Sequence, residues 1–340
     1  MKRNLFDRLV DKFFIRTLLL LGCTFAVQIT FAQDKVKIGG GGGKKNGSTY
    51  SEEVFDIAQT CSTDSVTYEE FGPGGGVANL QELKDNQVSV AIVPSDLLYQ
   101  ARQENGTSVA QIQQLFALHP EPVHLIVRAD VKKEGGFNLP GIGNVGGKDV
   151  VYNHPEDLRG REIGATGGSA VSARVISDKL GIGWTVNSAV AKDTLGLLNA
   201  LSAHQVDAIL IVGSPAAVKA IKGNFKILPL LGNSNTAEVY SQTKVQYPNL
   251  NEGRPVDTFS EQALLVTRTW HSDEKIAQLA ALRSCLKRNL SKLQDKEGAS
   301  VAWQDVKSGQ SDKWQWYDLP DASAPVASLP PSPGKKPAKK

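Results

Sequence analysis

Apolar positions along this chain switch repeatedly between a period of two and a period near 3.6, the signatures of strand and helix. Val36-Lys37-Ile38 alternates like a short strand and runs into the glycines at 39–43. Val54, Ile57, Ala58 and Cys61 then recur at helical spacing, predicting a helix over 50–61 with Ser48 and Thr49 placed to cap its start. Val66-Thr67-Tyr68 reads as strand, Gly72-Pro73-Gly74-Gly75-Gly76 as a turn, and 77–85 as a helix turning Leu80 and Leu83 inward. The apolar run 88–93 predicts a buried strand that ends at Pro94-Ser95-Asp96 before a further helix. Two more strands are expected at 115–118 and 123–127.

The second half repeats the alternation. Residues 131–153 are glycine-rich without a clean period and read as an inserted surface loop or hairpin. A short helix and turn at 155–160 precede strand 162–165, and helices are predicted over 170–180, 195–204 and 216–221, with strands at 208–212 and 225–231. After Asn233 the pattern is irregular until a strand at 263–267. One long amphipathic helix follows over 273–293, with Ile276, Leu279, Leu282, Leu286, Leu290 and Leu293 on one face.

Strands alternating with helices argue for α/β layers with mostly parallel sheets. Two such clusters occur, one before residue 128 and one over 161–231, and the long C-terminal helix needs a lobe to cover. The simplest arrangement returns it to the first. The expected organisation is therefore lobe 1 from 33–128 plus 232–318, lobe 2 from 129–231, and a disordered Pro/Lys-rich tail over 319–340.

Composition narrows this only modestly. Of 340 residues, 41% are hydrophobic and 21% charged, as a folded core requires, and the net charge of +3 implies no basic face for nucleic acid. The N-terminus is more informative. Lys2, Arg3, Arg8, Lys12 and Arg16 lead into an apolar run from Thr17 to Ile29, then Thr30-Phe31-Ala32 and a polar turn at Gln33-Asp34-Lys35. That is the pattern of a secretory signal over 1–32, cut after Ala32, and the run is shorter than the ~20 residues that span a bilayer. Leu20-Leu21-Gly22-Cys23 has the outline of a lipoprotein box, but the residues after Cys23 stay apolar through Ala32. Export to the periplasm would leave two cysteines, Cys61 and Cys285, either bridged in an oxidising compartment or buried separately as thiols.

Candidate chemistry sits where strands meet helices. Glycines at 39–43, then Asn46, Ser48, Thr49 and Tyr50, join a strand to a helix start, where free N–H groups favour an anion. Lys44 and Lys45 do not fit a P-loop ending, because Asn46 and Gly47 intervene before Ser48. Ala165-Thr166-Gly167-Gly168-Ser169 repeats the design in the second cluster, and Ser95 ends a strand where open α/β sheets hold ligands. The five histidines, His119, His124, His154, His204 and His271, show no metal-ligand spacing. His124, in an apolar strand, reads as structural. Ser169 and Ser214 lie in no Gly-x-Ser-x-Gly elbow, so nucleophilic catalysis is unsupported. Trp303, Trp314 and Trp316 read as packing residues of the C-terminal segment.

Several stretches in order resemble one family. Gly40-Gly41-Gly42 through Gly47-Ser48-Thr49-Tyr50, Val77-Ala78-Asn79-Leu80, Ala91-Ile92-Val93-Pro94-Ser95-Asp96 and Pro120-Glu121-Pro122-Val123-His124-Leu125 are similar to the TAXI class of solute-binding proteins of TRAP transporters. Asp157-Leu158-Arg159-Gly160-Arg161, Gly167-Gly168-Ser169, Val206-Asp207-Ala208 and Gly213-Ser214-Pro215 continue the resemblance, which spans about 35–303. It departs from the pattern at Lys44-Lys45, in the length of 131–153 and over 232–258.

The resemblance implies a periplasmic-binding-protein fold of type II kind: two α/β lobes, a hinge, and a ligand in the cleft. It further implies a small carboxylate or amino acid such as glutamate as ligand, a TRAP-type membrane permease as partner, a monomer, and no cofactor. The residues expected to line the cleft are Gly42, Asn46, Ser48, Thr49, Tyr50, Asn79 and Ser95 from the first lobe, with Gly168, Ser169 and Ser214 from the second. Tyr50 has an equal reading as a core tyrosine, and Asn79 as a cap of its own helix. Competing readings are an extracytoplasmic sensor without transport, and an enzyme on the scaffold that thiamine-pyrimidine synthases share. The scattered histidines and the signal segment argue against the enzyme.

Overall fold

The computed structural model describes residues 34–40, 49–63, 66–72, 74–213, 218–219, 221–297, 299 and 301–320. The expected signal segment, Gly42, Asn46, Ser48, Ser214, half of the helix expected at 216–221 and the tail beyond 320 lie outside those residues.

Two long strands organise the molecule. β4 (Ile112–Arg128) and β14 (Val256–Arg268) run antiparallel to each other and pass through both halves of a ten-stranded mixed sheet. The pattern predicts two strands where β4 is one. His119-Pro120-Glu121-Pro122 interrupts the apolar run, and both prolines lack the N–H that a ladder needs. Pairing with β14 survives there, Gln262 opposite Pro120 and Ser260 opposite Pro122, with register shifts between Gln262 and Leu264 and between Leu265 and Val266. A strand pair weakened at its middle is a physical basis for a hinge.

On one side of that crossing, β1 (Asp34–Gly39) lies between β2 (Val66–Phe71) and β3 (Val90–Pro94), parallel to both, and β3 pairs antiparallel with β14. The helices α1 (Thr49–Thr60), α2 (Gly76–Lys84) and α3 (Ser95–Val109) connect these strands. On the other side β9 (Glu162–Gly164) is parallel to β10 (Thr185–Asn187) and β11 (Ala208–Val212), and β11 pairs antiparallel with β4. Here α4 (Gly167–Leu180) and α5 (Thr194–Ser202) make the crossovers. The chain thus forms two α/β lobes joined by two strands, the fold that the resemblance implies.

Some expectations shift in detail. β12 (Phe225–Ile227) is shorter than the predicted 225–231, because Leu228 and Leu230 donate instead to Leu125 O and Asp257 O. The stretch after Asn233 is more regular than its pattern. Asn233 caps a short helix, α6 (Ser234–Ala237), and β13 (Ser241–Val245) pairs with β14 from residue 256 on. β13 is mostly exposed, so no apolar period marks it.

The 131–153 segment is a hairpin arm. β5 (Lys132–Glu134) pairs with β8 (Lys148–Val150), and β6 (Phe137–Leu139) with β7 (Gly143–Val145). Arg161 holds its base through a two-pronged bond to Glu134, at 2.7 and 2.8 Å.

Three apolar clusters hold the layers. One lies under α2, α3 and α4, continuous across both lobes, with Leu80, Leu83, Leu98, Ala173, Ile176 and Trp184 among its members. A second packs α1 and α7 (Asp273–Asp295) on the opposite face of the first lobe, and a third sits beneath α5. Cys61 and Cys285 are bridged, which ties the end of α1 to α7 across 224 residues of sequence and resolves the two readings of that pair. Trp303 is fully buried in the second cluster, donating to Glu53 Oε2 at 2.6 Å, and Trp314 donates to Ile112 O, so both pack as read. Among the described residues no helix is long and apolar enough to cross a membrane.

Candidate functional site

Three helices begin at the junction of the lobes without a side-chain cap. α2 follows Gly75, α3 follows Pro94, and α4 follows Thr166, and none of these residues accepts a hydrogen bond through its side chain. The first-turn N–H groups of a helix have no intrahelical partner, so an uncapped start presents donors at its positive end. The three helices pack on one another. At Gly76 the α2 start touches Pro94 so closely that a Cβ would collide with the proline ring. At the α4 start Gly167 is exposed with φ +53°, and a Cβ on Gly167 or Gly168 would meet no described atom within 4 Å. Open space beside unpaired N–H groups is the geometry that admits an anion.

The polar side chains expected around that space divide. Ser95 is buried and committed: its Oγ accepts from Gln262 N at 3.3 Å and lies 3.4 Å from Val239 O as donor, pinning α3 to β14. Ser169 Oγ accepts from Val212 N at 3.0 Å, fastening the α4 start to the end of β11. Both serines therefore build the junction. Asn79 does not cap its helix. Its Nδ2 donates to Ile92 O at 2.9 Å, while Oδ1 is buried without a partner, 3.5 Å from where a Cβ on Gly39 would stand. Thr49 and Tyr50 are the first two residues of α1, and Gly168 is in the first turn of α4.

Sequence reasoning missed an acidic cluster in the same place. Asp96, in the first turn of α3, is buried, and its charge acts on Glu261 of β14. Glu261 is 3% exposed, accepts from Ser172 Oγ of α4 at 3.2 Å, and sits opposite Glu121 of β4 in the strand register. The Tyr240 hydroxyl donates to Asp96 Oδ2 at 3.0 Å. Burial pushes Glu121 up to about 7, helped by the charge of Asp96. Burial also drives Glu261 well above the carboxylate range, reinforced by Asp96 and Glu121. The available signal was a Glu between two prolines and a Glu just before an apolar strand. Glu121 enters the sequence reading only within the Pro120–Leu125 resemblance, and Glu261 falls in the irregular stretch before 263.

Beyond the junction, a cavity of about 290 Å³ opens along the hinge strands, lined by His119, Glu121, Gly213, Lys219, Lys244 and Tyr247 among others. His124 is structural as read: it is fully buried, with Nδ1 3.2 Å from Ile211 O and Nε2 2.7 Å from the Tyr247 hydroxyl. Burial lowers both His119 and His124 to about 4. Among the described residues no group of His, Cys, Asp or Glu is arranged to hold a metal ion.

No family model and no curated protein matches the chain. Solved structures do. A substrate-binding protein of an amino-acid ABC transporter from Streptococcus pneumoniae, bound to L-arginine, is 12% identical, covering 81% of this chain and 97% of its own, with a TM-score of 0.45. A probable amino-acid ABC transporter extracellular-binding protein of Bacillus subtilis is 11% identical over 81% and 96%, with a TM-score of 0.40. A histidine kinase sensor domain with similarity to periplasmic binding proteins is 12% identical over 82% and 95%, with a TM-score of 0.44.

Proposed function

We propose that this chain is an extracytoplasmic solute-binding protein that captures a small carboxylate-bearing solute, an amino acid or organic acid, by closing its two lobes. The observation that carries this reading is the meeting of three uncapped helix starts, α2, α3 and α4, with free space beside Gly167 and Gly168. Unpaired N–H groups at positive helix ends donate to carboxylate oxygens without a cationic side chain. Two helices come from one lobe and the third from the other, so a bound carboxylate would favour the closed form, and only such differential contact shifts a conformational equilibrium. The lobe division proposed is 33–128 with 232–318 against 129–231. Gly42, Asn46, Ser48, Thr49, Tyr50 and Ser214 complete the proposed ligand shell, with Asn79 Oδ1 behind the first glycines.

On this reading the protein is no enzyme. It is exported by a signal cut after Ala32, works in the periplasm as a monomer, and hands its solute to a TRAP-type permease. Mass spectrometry of ligand released from protein purified from its native periplasm, followed by calorimetry with amino acids and organic acids, tests the capture. A carboxylate that binds and shrinks the radius of gyration is the expected result. If no such compound binds and the protein never compacts, the reading fails.

A further inference from the structure

The chain carries no charged residue between Glu134 and Lys148. Residues 135–147, the tip of the hairpin arm, are glycines, two asparagines, a proline and the apolar Phe137, Leu139, Ile142 and Val145. All four apolar side chains face water: Phe137 is 80% exposed, Ile142 75%, Val145 45% and Leu139 44%. The β6–β7 ladder gathers them. Phe137 stands opposite Val145, and Leu139, two positions on from Phe137, shares their face. Ile142 lies in the turn between the two strands. Single apolar residues on a surface need no account, but an apolar face on an element outside the main sheet does.

Area argues against a second copy as the cover. At those exposures the four side chains offer on the order of 400 Å², about half of the roughly 800 Å² a side that a stable protein interface buries. A lipid surface sets no such minimum and needs no matching shape. It needs an apolar face of the right depth, free of charge, with a polar collar behind it. Each strand of the tip is three residues long, about 10 Å, and apolar faces settle about 5–10 Å into the boundary between headgroups and acyl chains. The collar is Glu134 opposite Lys148 in the β5–β8 ladder, with Arg161 gripping Glu134 and Lys148 and Asp149 exposed. The outer edges of a two-stranded ladder keep N–H and C=O groups that need water, which holds such a tip at the boundary and bars deeper entry.

We propose that the tip of the hairpin arm is an interfacial anchor that seats this protein on a phospholipid bilayer. Phe137 and Ile142 enter the acyl boundary, Leu139 and Val145 lie along it, and the charged base of the arm stays among the headgroups. Attachment draws on apolar burial, so salt leaves it largely intact. One short apolar face gives reversible binding, as a single acyl chain does. The anchor acts with no solute present, so its failure leaves the capture reading standing.

The test uses the chain from Gln33 on, which contains every described residue, with vesicles of phosphatidylethanolamine and phosphatidylglycerol. Salt of about 1 M, where the Debye length is about 3 Å, removes attraction between the protein's net charge and the anionic lipid. Flotation with the vesicles is expected. Phe137→Ser with Ile142→Ser should weaken the partition at least about tenfold at an unchanged melting temperature, since burial of one Phe is worth that factor. Replacing 135–147 with a short Gly-Ser turn is the second variant and should abolish flotation if the serine pair fails to fold. Phe137→Trp reports on the tip itself: lipids brominated near the headgroup end of the acyl chain should quench its emission beyond the parent's own loss. A parent chain that stays out of the vesicles overturns the anchor, as does flotation that survives both tip variants or a Phe137→Trp chain quenched no more than the parent. A dimer in solution that the serine pair splits, with no vesicle bound, assigns the face to a second copy and overturns it equally. Attachment only to vesicles that carry membrane proteins overturns it in favour of a protein partner.

Discussion

At the scale of single residues, the serines at the junction also hold elements together. Ser169 reads from its strand-glycine-helix context as a ligand donor, and its Oγ accepts from Val212 N, which leaves the hydroxyl hydrogen to donate. Ser169→Ala should lower thermal stability by about 1 kcal/mol, the usual net worth of one hydrogen bond. Thermal unfolding and calorimetry on the same variant separate this from a direct contact, which would weaken binding tenfold or more at unchanged stability. His124 carries a pH prediction. Its value falls from the ordinary 6.5 to about 4 because burial disfavours the imidazolium. The unfolded chain then takes up a proton that the folded chain refuses, and stability drops as pH falls from about 6.5 toward 4. Denaturant midpoints should show that acid limb, and His124→Gln should flatten its slope.

At the scale of elements, the packing of α2 on α3 is set by a missing Cβ. A methyl group at Gly76 would meet the Pro94 ring, so Gly76→Ala should displace the α3 start and cost about 1–3 kcal/mol, as overpacking does. Weaker solute binding should accompany the loss, since both helix starts border the same space. The hairpin arm is the contrasting case. Six of the nine exposed large apolar side chains among the described residues, including Phe137 and Ile142, lie on it. Its Glu134–Arg161 anchor is partly exposed, a class of ion pair worth about 0–1 kcal/mol. Replacing residues 135–147 with a short Gly-Ser turn should leave the melting temperature within about 2–4 °C of the parent. A larger fall in a melting experiment would show that the arm supports the lobe.

At the scale of the whole molecule, the Cys61–Cys285 bridge closes almost the entire described chain. In the chain-entropy account a loop of 224 residues confines the unfolded ensemble by about 5 kcal/mol. Cys61→Ser with Cys285→Ser should lower the guanidinium midpoint strongly while leaving solute affinity nearly unchanged, because the bridge joins α1 to α7 on the face away from α2, α3 and α4. A double variant as stable as the parent would contradict this account.

The α/β class, most helices, the buried strands and the inward faces of α2 and α7 were legible in the sequence, because a lone element buried on one side imprints its period on its own residues. The position of the uncapped start at Thr166-Gly167-Gly168 was legible too, since strand and helix patterns meet there. The tertiary structure alone decided that 115–118 and 123–127 are one strand through two prolines, that β13 exists, and that Cys61 meets Cys285. It also decided that Ser95 and Ser169 fasten elements and that Asp96 and Glu261 are buried at the same junction. Most of these depend on distant partners, 43 residues away from Ser169 to Val212 and 224 from Cys61 to Cys285, and no local period records a partner at that distance; β13 pairs nearby but is mostly exposed, so it carries no period to read.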